Sequence, residues 1–93
     1  MIQVKILPSF QRCVKKLTQH EKMRLANGLH KLNAFIATGE TTAGFSFKKI
    51  NHDKYEFRID ARLRVIIKKE TDVYWLVLVG GHSKVSQYLH RFR

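Results

Sequence analysis

The sequence has few of the residues that build disulfide frameworks or metal centres. Its single cysteine, Cys13, excludes an internal disulfide, and no Cys-x-x-Cys pair is present to hold zinc. The five histidines are scattered, without the His-Glu-x-x-His spacing of a metalloprotease helix. We therefore expect any catalysis to need no metal and no small-molecule cofactor. Cys13 is expected to pack in the core as a small apolar side chain.

Long apolar runs and targeting patterns are also missing. The longest apolar stretch, VYWLVLVGG, is about half of the roughly 20 residues that a membrane-spanning helix needs. The N-terminal MIQVKILPSF lacks the basic-then-apolar layout of a secretory signal. The chain has 93 residues, with no repeat and no linker-like tract. We expect one domain over residues 1–93, in the cytoplasm and without a membrane partner.

Acidic residues are scarce relative to basic ones. Eighteen Lys and Arg against seven Asp and Glu give a formal net charge of +11. Such an excess of one sign repels itself within a small fold and attracts polyanions. Nucleic acid is the first partner class that this charge predicts, and an acidic protein is the second. A merely basic surface without a polyanionic partner is the remaining interpretation.

Apolar spacing in the first forty residues predicts a strand followed by a helical hairpin. Residues 2–6 alternate apolar and polar side chains, which is typical of a half-buried strand. Pro8 suits the first position of the next helix and Ser9 suits its N-cap. The segment 18–21, Thr-Gln-His-Glu, has the form of a capping box for a second helix, which Gly39 would end.

From residue 45 onward the apolar period changes to two. Strands are predicted at 54–59, 63–69 and 73–79, and the short polar turns between them favour antiparallel pairing. The third strand is apolar almost throughout, which indicates a central position in the sheet. Helical spacing returns after Gly80 and Gly81. The predicted fold class is α+β, with an N-terminal strand, a helical hairpin, an antiparallel sheet of about four strands and a short C-terminal helix.

Polar side chains of this meander are expected to converge on the face that the first helices leave open. Glu56 and Arg58 share the polar side of their strand. Arg64 lies near the start of the next strand, and His82 follows the end of the third. Together they would line one concave basic surface, which six further cations would enlarge: Lys48, Lys49, Lys54, Arg62, Lys68 and Lys69.

Such a surface carries the groups that metal-free RNA cleavage requires. The 2′-hydroxyl attacks the adjacent phosphate, with a base for its proton, cations for the phosphorane charge and an acid for the 5′ oxygen. Histidine can fill either proton role, and arginine suits the phosphate. Glu56, beside two arginines, is a candidate base. The Tyr88 phenol can stack on a nucleobase or donate a hydrogen bond, although its place in the helix also predicts core packing. A solvated His82 without chemistry is the alternative at that position.

The run YEFRIDARLRVIIKKETDVYWLVLVGGHSKVSQYL resembles the C-terminal half of the RelE/ParE superfamily toxins. Members carry a Tyr-x-x-Arg/Lys-Ile strand, an Arg-Val-Ile/Leu-Tyr strand and an apolar strand ending in Gly. A basic residue or His then follows, with an aromatic residue near the C-terminus. The resemblance is specific over residues 54–89 and compatible through the helical hairpin.

The resemblance implies a set of catalytic residues. The Arg that opens the second strand of ribosome-dependent members corresponds to Arg64. The residue after the Gly-ended strand corresponds to His82, and the aromatic six positions later corresponds to Tyr88. The two lysines that the first strand commonly presents are Glu56 and Arg58 here. This departure leaves the general base open among Glu56, His82 and a nearby Lys.

The resemblance also implies a function and partners. It predicts the toxin of a type II toxin–antitoxin system, an endoribonuclease acting on mRNA at the ribosome, next to 16S rRNA, and neutralised by an acidic antitoxin. The charge argument points to the same kind of partner. Two other functions are compatible with the chain: a ParE-like toxin that binds DNA gyrase and cleaves nothing, and a basic RNA-binding domain without catalysis.

Overall fold

A five-stranded sheet and three helices are formed by the described residues, 2–41 and 45–92, of the computed structural model. The elements follow the predicted α+β order. In chain order they are β1 (Gln3–Ile6), α1 (Pro8–Lys15), α2 (Gln19–Thr38), β2 (Phe47–Lys49), β3 (Lys54–Arg58), β4 (Arg64–Lys69), β5 (Val73–Gly80) and α3 (His82–Phe92).

The strand order across the sheet is β1-β5-β4-β3-β2. Strands β2 to β5 pair antiparallel, as predicted. The interior position of β5 is also confirmed, because it pairs with β4 on one side and β1 on the other. However, β1 runs parallel to β5, so the sheet is mixed and not purely antiparallel. The helical hairpin leads into β2, which runs opposite to β1, and the three reversals from β2 to β5 then give β5 the same direction as β1.

Local signals at the helix ends are largely confirmed. Thr18 Oγ1 accepts a hydrogen bond from the Glu21 backbone N–H at 3.1 Å, and the Thr18 N–H donates to Glu21 Oε1 at 2.8 Å. Gly39 ends α2 in the left-handed region at φ 77°. Pro8 occupies the start of α1, but the prediction for Ser9 is wrong. The N-cap is Leu7, and Ser9 Oγ donates to the carbonyl oxygen of Val77 in β5 at 2.6 Å.

The core lies between the sheet and the helical hairpin. Phe57, Val65 and Val79 face one another across three strands and are almost completely buried. Leu32 of α2 is buried with them, and Cys13 belongs to the same core, as predicted. None of the helices that the described residues form has the length and apolar character of a membrane span.

An irregularity in the pairing of β4 with β5 decides which residues share a face. Ile66 pairs with Leu78, but the next residue, Ile67, pairs with Leu76, so β5 contains one extra residue. A bulge of this kind shifts the alternation of side chains beyond it. As a result Trp75 lies on the same side of the sheet as Leu78.

Candidate functional site

The face of the sheet opposite the core carries most of the predicted site residues. Residues directly opposite each other on paired strands place their side chains on the same face. We call this side of the sheet the basic face. Three cross-strand rows define it: Lys54–Lys68–Trp75–Lys5, Lys48–Glu56–Ile66–Leu78 and Arg58–Arg64–Gly80.

Glu56 and Arg64 form an ion pair at the centre of the basic face. Arg64 Nη1 lies 3.5 Å from Glu56 Oε1, and Glu56 is only 7% exposed. Arg58 of β3 is exposed and lies directly opposite Arg64 of β4. Lys48 of β2 lies opposite Glu56 of β3. A carboxylate among three cations offsets their mutual repulsion. It also attracts the Arg64 guanidinium, whose Nε is buried and unpaired among the described residues and whose terminal N–H groups are donors suited to a phosphate.

His82 is the first residue of α3, immediately after the Gly80–Gly81 pair that ends β5. Gly80 lies opposite Arg64, and His82 follows Gly80 by two residues. His82 is therefore at the end of the sheet where Arg64 begins β4. The imidazole is exposed, and its Nε2 lies 3.4 Å from Ser86 Oγ, one helical turn further on. A Cβ added to Gly81 would lie 3.5 Å from the Arg62 carbonyl oxygen, so the β3–β4 turn packs beside this junction.

Tyr88 lies on the face of α3 that packs over the sheet. It is half-buried, and with Leu78 of the basic face it lines a cavity of about 200 Å³. Lys84 and Arg91 line the same cavity, and the Lys84 stem lies against Gly80. These two cations were not among the predicted site residues, although residues 84, 88 and 91 have the i, i+4, i+7 spacing of one helix face.

The other predicted cations are divided between surfaces. Lys48, Lys54 and Lys68 lie on the basic face, and Arg62 is exposed in the β3–β4 turn. Lys49 and Lys69 lie on the opposite side, where Lys69 Nζ is 5.3 Å from the ring centre of Tyr55.

Lys54 is partly neutralised on the basic face. Its Nζ donates to Asp53 Oδ1 at 2.8 Å, and this hydrogen bond lowers the pKa of the Asp53 carboxyl. Lys68 adds to that effect by its charge. The described residues bring no group of three or more His, Cys, Asp or Glu side chains together in a way that could hold a metal ion.

Comparison with known proteins gives a match in structure but not in sequence. No family model matches the chain, and no curated protein matches it. A chain of the RelB–RelE antitoxin–toxin complex from Methanococcus jannaschii superposes with a TM-score of 0.66 at 16% identity, over 89% of this chain and 95% of that one. YafQ from E. coli superposes at 0.67 with 11% identity, over 91% and 98%. The chain has the RelE-like toxin fold.

A third structure with the RelE-like toxin fold is a metal-bound toxin from Helicobacter pylori. It matches with a TM-score of 0.64 and 19% identity, over 91% of this chain and 99% of that chain. The likeness extends over almost the whole of each chain, the helical hairpin included, where the sequence alone carried no distinctive residues. At these identities the RelE-like toxin fold is what the proteins share.

Proposed function

We propose that this chain is the toxin of a type II toxin–antitoxin system and an endoribonuclease that cleaves mRNA on the ribosome. The observation that carries the proposal is the Arg64–Glu56 pair at the centre of a basic face in a protein with the RelE-like toxin fold. The pair presents an oriented cation beside an exposed histidine, His82, at the start of α3.

In this mechanism the 2′-hydroxyl of one nucleotide attacks its own 3′-phosphate, and the 5′ oxygen of the next nucleotide leaves. Arg64 and Arg58 bind the phosphate and stabilise the charge that builds up on it. His82 either takes the proton of the 2′-hydroxyl or gives a proton to the leaving 5′ oxygen. Its imidazole can do so because it is exposed beside the Arg64 strand. The Tyr88 hydroxyl and the cations of α3 contact the substrate from the other side of the cavity that they line.

Glu56 acts in this proposal as a positioning residue and not as the general base. Its carboxylate is almost completely buried and its Oε1 is directed to Arg64 Nη1. A base must reach the 2′-hydroxyl of a bound nucleotide, which an exposed side chain can do more readily. A buried carboxylate beside arginine instead holds the guanidinium in one orientation.

We further propose that an acidic antitoxin covers the basic face. The structures similar to this chain include chains of the RelB–RelE and DinJ–YafQ complexes, which contain a toxin and its antitoxin. A chain with a net charge of +11 has the complementary charge for an acidic partner. The proposal places the protein in the cytoplasm, where mRNA is translated.

The experiment is induction of the chain and of its variants in bacteria, with primer extension on mRNA and cleavage in a purified translation mixture. Arg64→Ala and His82→Ala should each relieve growth arrest and lower cleavage by about 100- to 10,000-fold. Arg12→Ala and His30→Ala are matched controls, because both residues are exposed on the helical hairpin, and they should remain fully toxic.

Three results would contradict the proposal. Full toxicity of both site variants would show that the site is elsewhere. Gyrase-linked DNA breaks without mRNA cleavage would favour the ParE-like alternative. RNA binding with steep salt dependence but no shortening of the RNA would leave only a binding module.

Glu56 has a test of its own within the same assay. Glu56→Gln keeps an oxygen that can accept a hydrogen bond from Arg64 but cannot take up a proton. We expect it to retain more cleavage than Glu56→Ala and to leave the shape of the pH–rate profile unchanged. If Glu56→Gln instead abolishes cleavage as completely as His82→Ala, Glu56 is the base.

A further inference from the structure

The sole tryptophan of the sequence, Trp75, lies on the basic face. It is half-buried in β5, with Lys68 of β4 opposite on one side and Lys5 of β1 opposite on the other. The ring is held at two points. Its Nε1 donates to Glu70 Oε1 at 2.6 Å, and Lys5 Nζ lies 5.6 Å from the ring centre.

Three lysines and two carboxylates, Asp53 and Glu70, lie around Trp75, and the remaining positive charge favours a polyanion. Lys54 completes the cross-strand row but is bonded to Asp53, so Lys68 and Lys5 supply most of its positive charge. Lys5 is exposed, and its flexible stem lets the ammonium move from the ring to a nearby phosphate. An aromatic ring between two lysines is the combination that binds single-stranded nucleic acid, since a base stacks on the ring while cations bind its phosphates.

Trp75 is also at a useful distance from the proposed cleavage site. Lys68 and Arg64 are four residues apart on the same strand and face, which corresponds to about 13 Å. Ile66 and Leu78 of the middle row lie between them and are buried, and side chains of α3 line a cavity over Leu78. An RNA strand whose phosphate is bound at Arg64 would therefore pass over the side chains that cover this middle row and place a nearby base over Trp75.

We propose that Trp75, Lys68 and Lys5 form a subsite for one unpaired RNA base and its flanking phosphates. The subsite rests on the proposed function, because it adjoins the site at which the same strand would be cut. It selects single-stranded RNA, whose bases are free to stack, over duplex RNA, whose bases are already stacked on one another.

The test uses the intrinsic fluorescence of the wild-type protein, which comes from Trp75 as its only tryptophan. The ligand is a short single-stranded oligoribonucleotide with 2′-O-methyl groups, which cannot undergo attack by a 2′-hydroxyl. Saturable quenching is expected, with weaker or no quenching by duplex RNA and by base-free polyphosphate. Anisotropy of a labelled copy of the oligonucleotide measures total binding in the same samples.

Variants distinguish the contribution of base stacking to RNA binding from the contribution of positive charge. Trp75→Leu should weaken binding by about 5- to 150-fold, whereas Trp75→Phe should retain most of the affinity. Lys68→Ala should weaken binding and reduce the salt dependence while leaving the tryptophan in place. Lys31→Ala makes the same charge change on the exposed side of α2 and should have little effect. Thermal unfolding of each variant checks that the fold is kept.

Three results would overturn the subsite. One is unchanged Trp75 fluorescence at oligonucleotide concentrations that saturate the anisotropy. Another is equal quenching by polyphosphate, which would show that charge alone acts. The third is quenching by an acidic peptide such as polyglutamate but not by RNA, which would assign this surface to a protein partner. Each leaves mRNA cleavage and its loss in His82→Ala untouched, so the two proposals fail separately.

Discussion

Glu56 changes the charge available for phosphate binding at the centre of the basic face. A lysine is common at this position in the toxins that the sequence resembles, and an additional cation here would enlarge the positive charge. The carboxylate instead pairs with Arg64 and is buried beneath the surrounding cations. The basic face therefore has fewer phosphate-binding cations than its count of basic residues suggests, but Arg64 at its centre is held by the ion pair.

Gly28 is a second residue whose identity follows from a contact distant in sequence. It is buried in α2, and a Cβ built at this position would overlap Cδ1 of Ile59, the residue that follows β3. Gly28→Ala gains about 1 kcal/mol in helix propensity, but crowding the half-buried Ile59, whose Cδ1 must rotate away and whose Cγ2 lies 3.3 Å from the new methyl group, costs about 1–3 kcal/mol. We expect the variant to be less stable by roughly 1 kcal/mol in urea unfolding.

The matched control for Gly28 removes the atom that obstructs the new methyl group. Ile59→Val deletes Cδ1, so the double variant Gly28→Ala/Ile59→Val should be at least as stable as Ile59→Val alone. Stabilisation by Gly28→Ala in the wild-type background would contradict the contact.

At the scale of secondary-structure elements, α2 depends on its N-terminal capping box. Thr18→Ala removes the acceptor for the Glu21 N–H and should cost about 1 kcal/mol. In a domain of this size that lowers the midpoint of thermal unfolding by about 4–8 °C. Thr18→Ser should retain most of the stability, because serine keeps the hydroxyl. Thr71→Ala, in the exposed β4–β5 turn, is the control and should change the midpoint little. An equal loss in the two alanine variants would argue against the cap.

The start of α1 shows that local sequence patterns do not determine every helix cap. Pro8 was recognisable as a first helical residue because its fixed φ and missing N–H act locally. Ser9 resembles an N-cap in sequence, but its hydroxyl bonds to the Val77 carbonyl of β5, 68 residues away. The same side chain can serve either purpose, and the choice depends on which strand lies beside the helix.

At the scale of the whole molecule, the net charge predicts strongly salt-dependent binding to RNA. If about five cations of the basic face contact phosphates, the slope of log K against log salt should be roughly −3 to −4 for single strands. The double variant Lys48→Ala/Lys68→Ala should reduce the magnitude of that slope by about 1.4. Lys22→Ala/Lys31→Ala removes the same charge from α2 and should leave the slope nearly unchanged. Equal effects of the two pairs would show that the molecule binds through its overall charge and not through one face.

Periodicity and capping carried the prediction of the elements. Alternation marked the first strand of the meander, and apolar runs between polar turns marked the next two. Helical spacing marked the hairpin and the C-terminal helix, and the pair Thr18 and Glu21 marked the start of α2. These signals are readable because each arises from residues within a few positions of one another. Glu56, Arg58 and Arg64 could be assigned to one surface for the same reason, since a short turn joins their strands.

Other features depend on residues that meet only after folding. The parallel pairing of β1 with β5 joins segments about seventy positions apart, and no local pattern specifies it. The extra residue in β5 places Trp75 on the basic face, whereas strict alternation from Leu78 would place it on the opposite face of the sheet. Burial of Glu56 against Arg64 likewise required packing around both side chains. Local sequence thus specified the parts of this protein and its charge, while long-range packing selected which charges and which aromatic ring face a ligand.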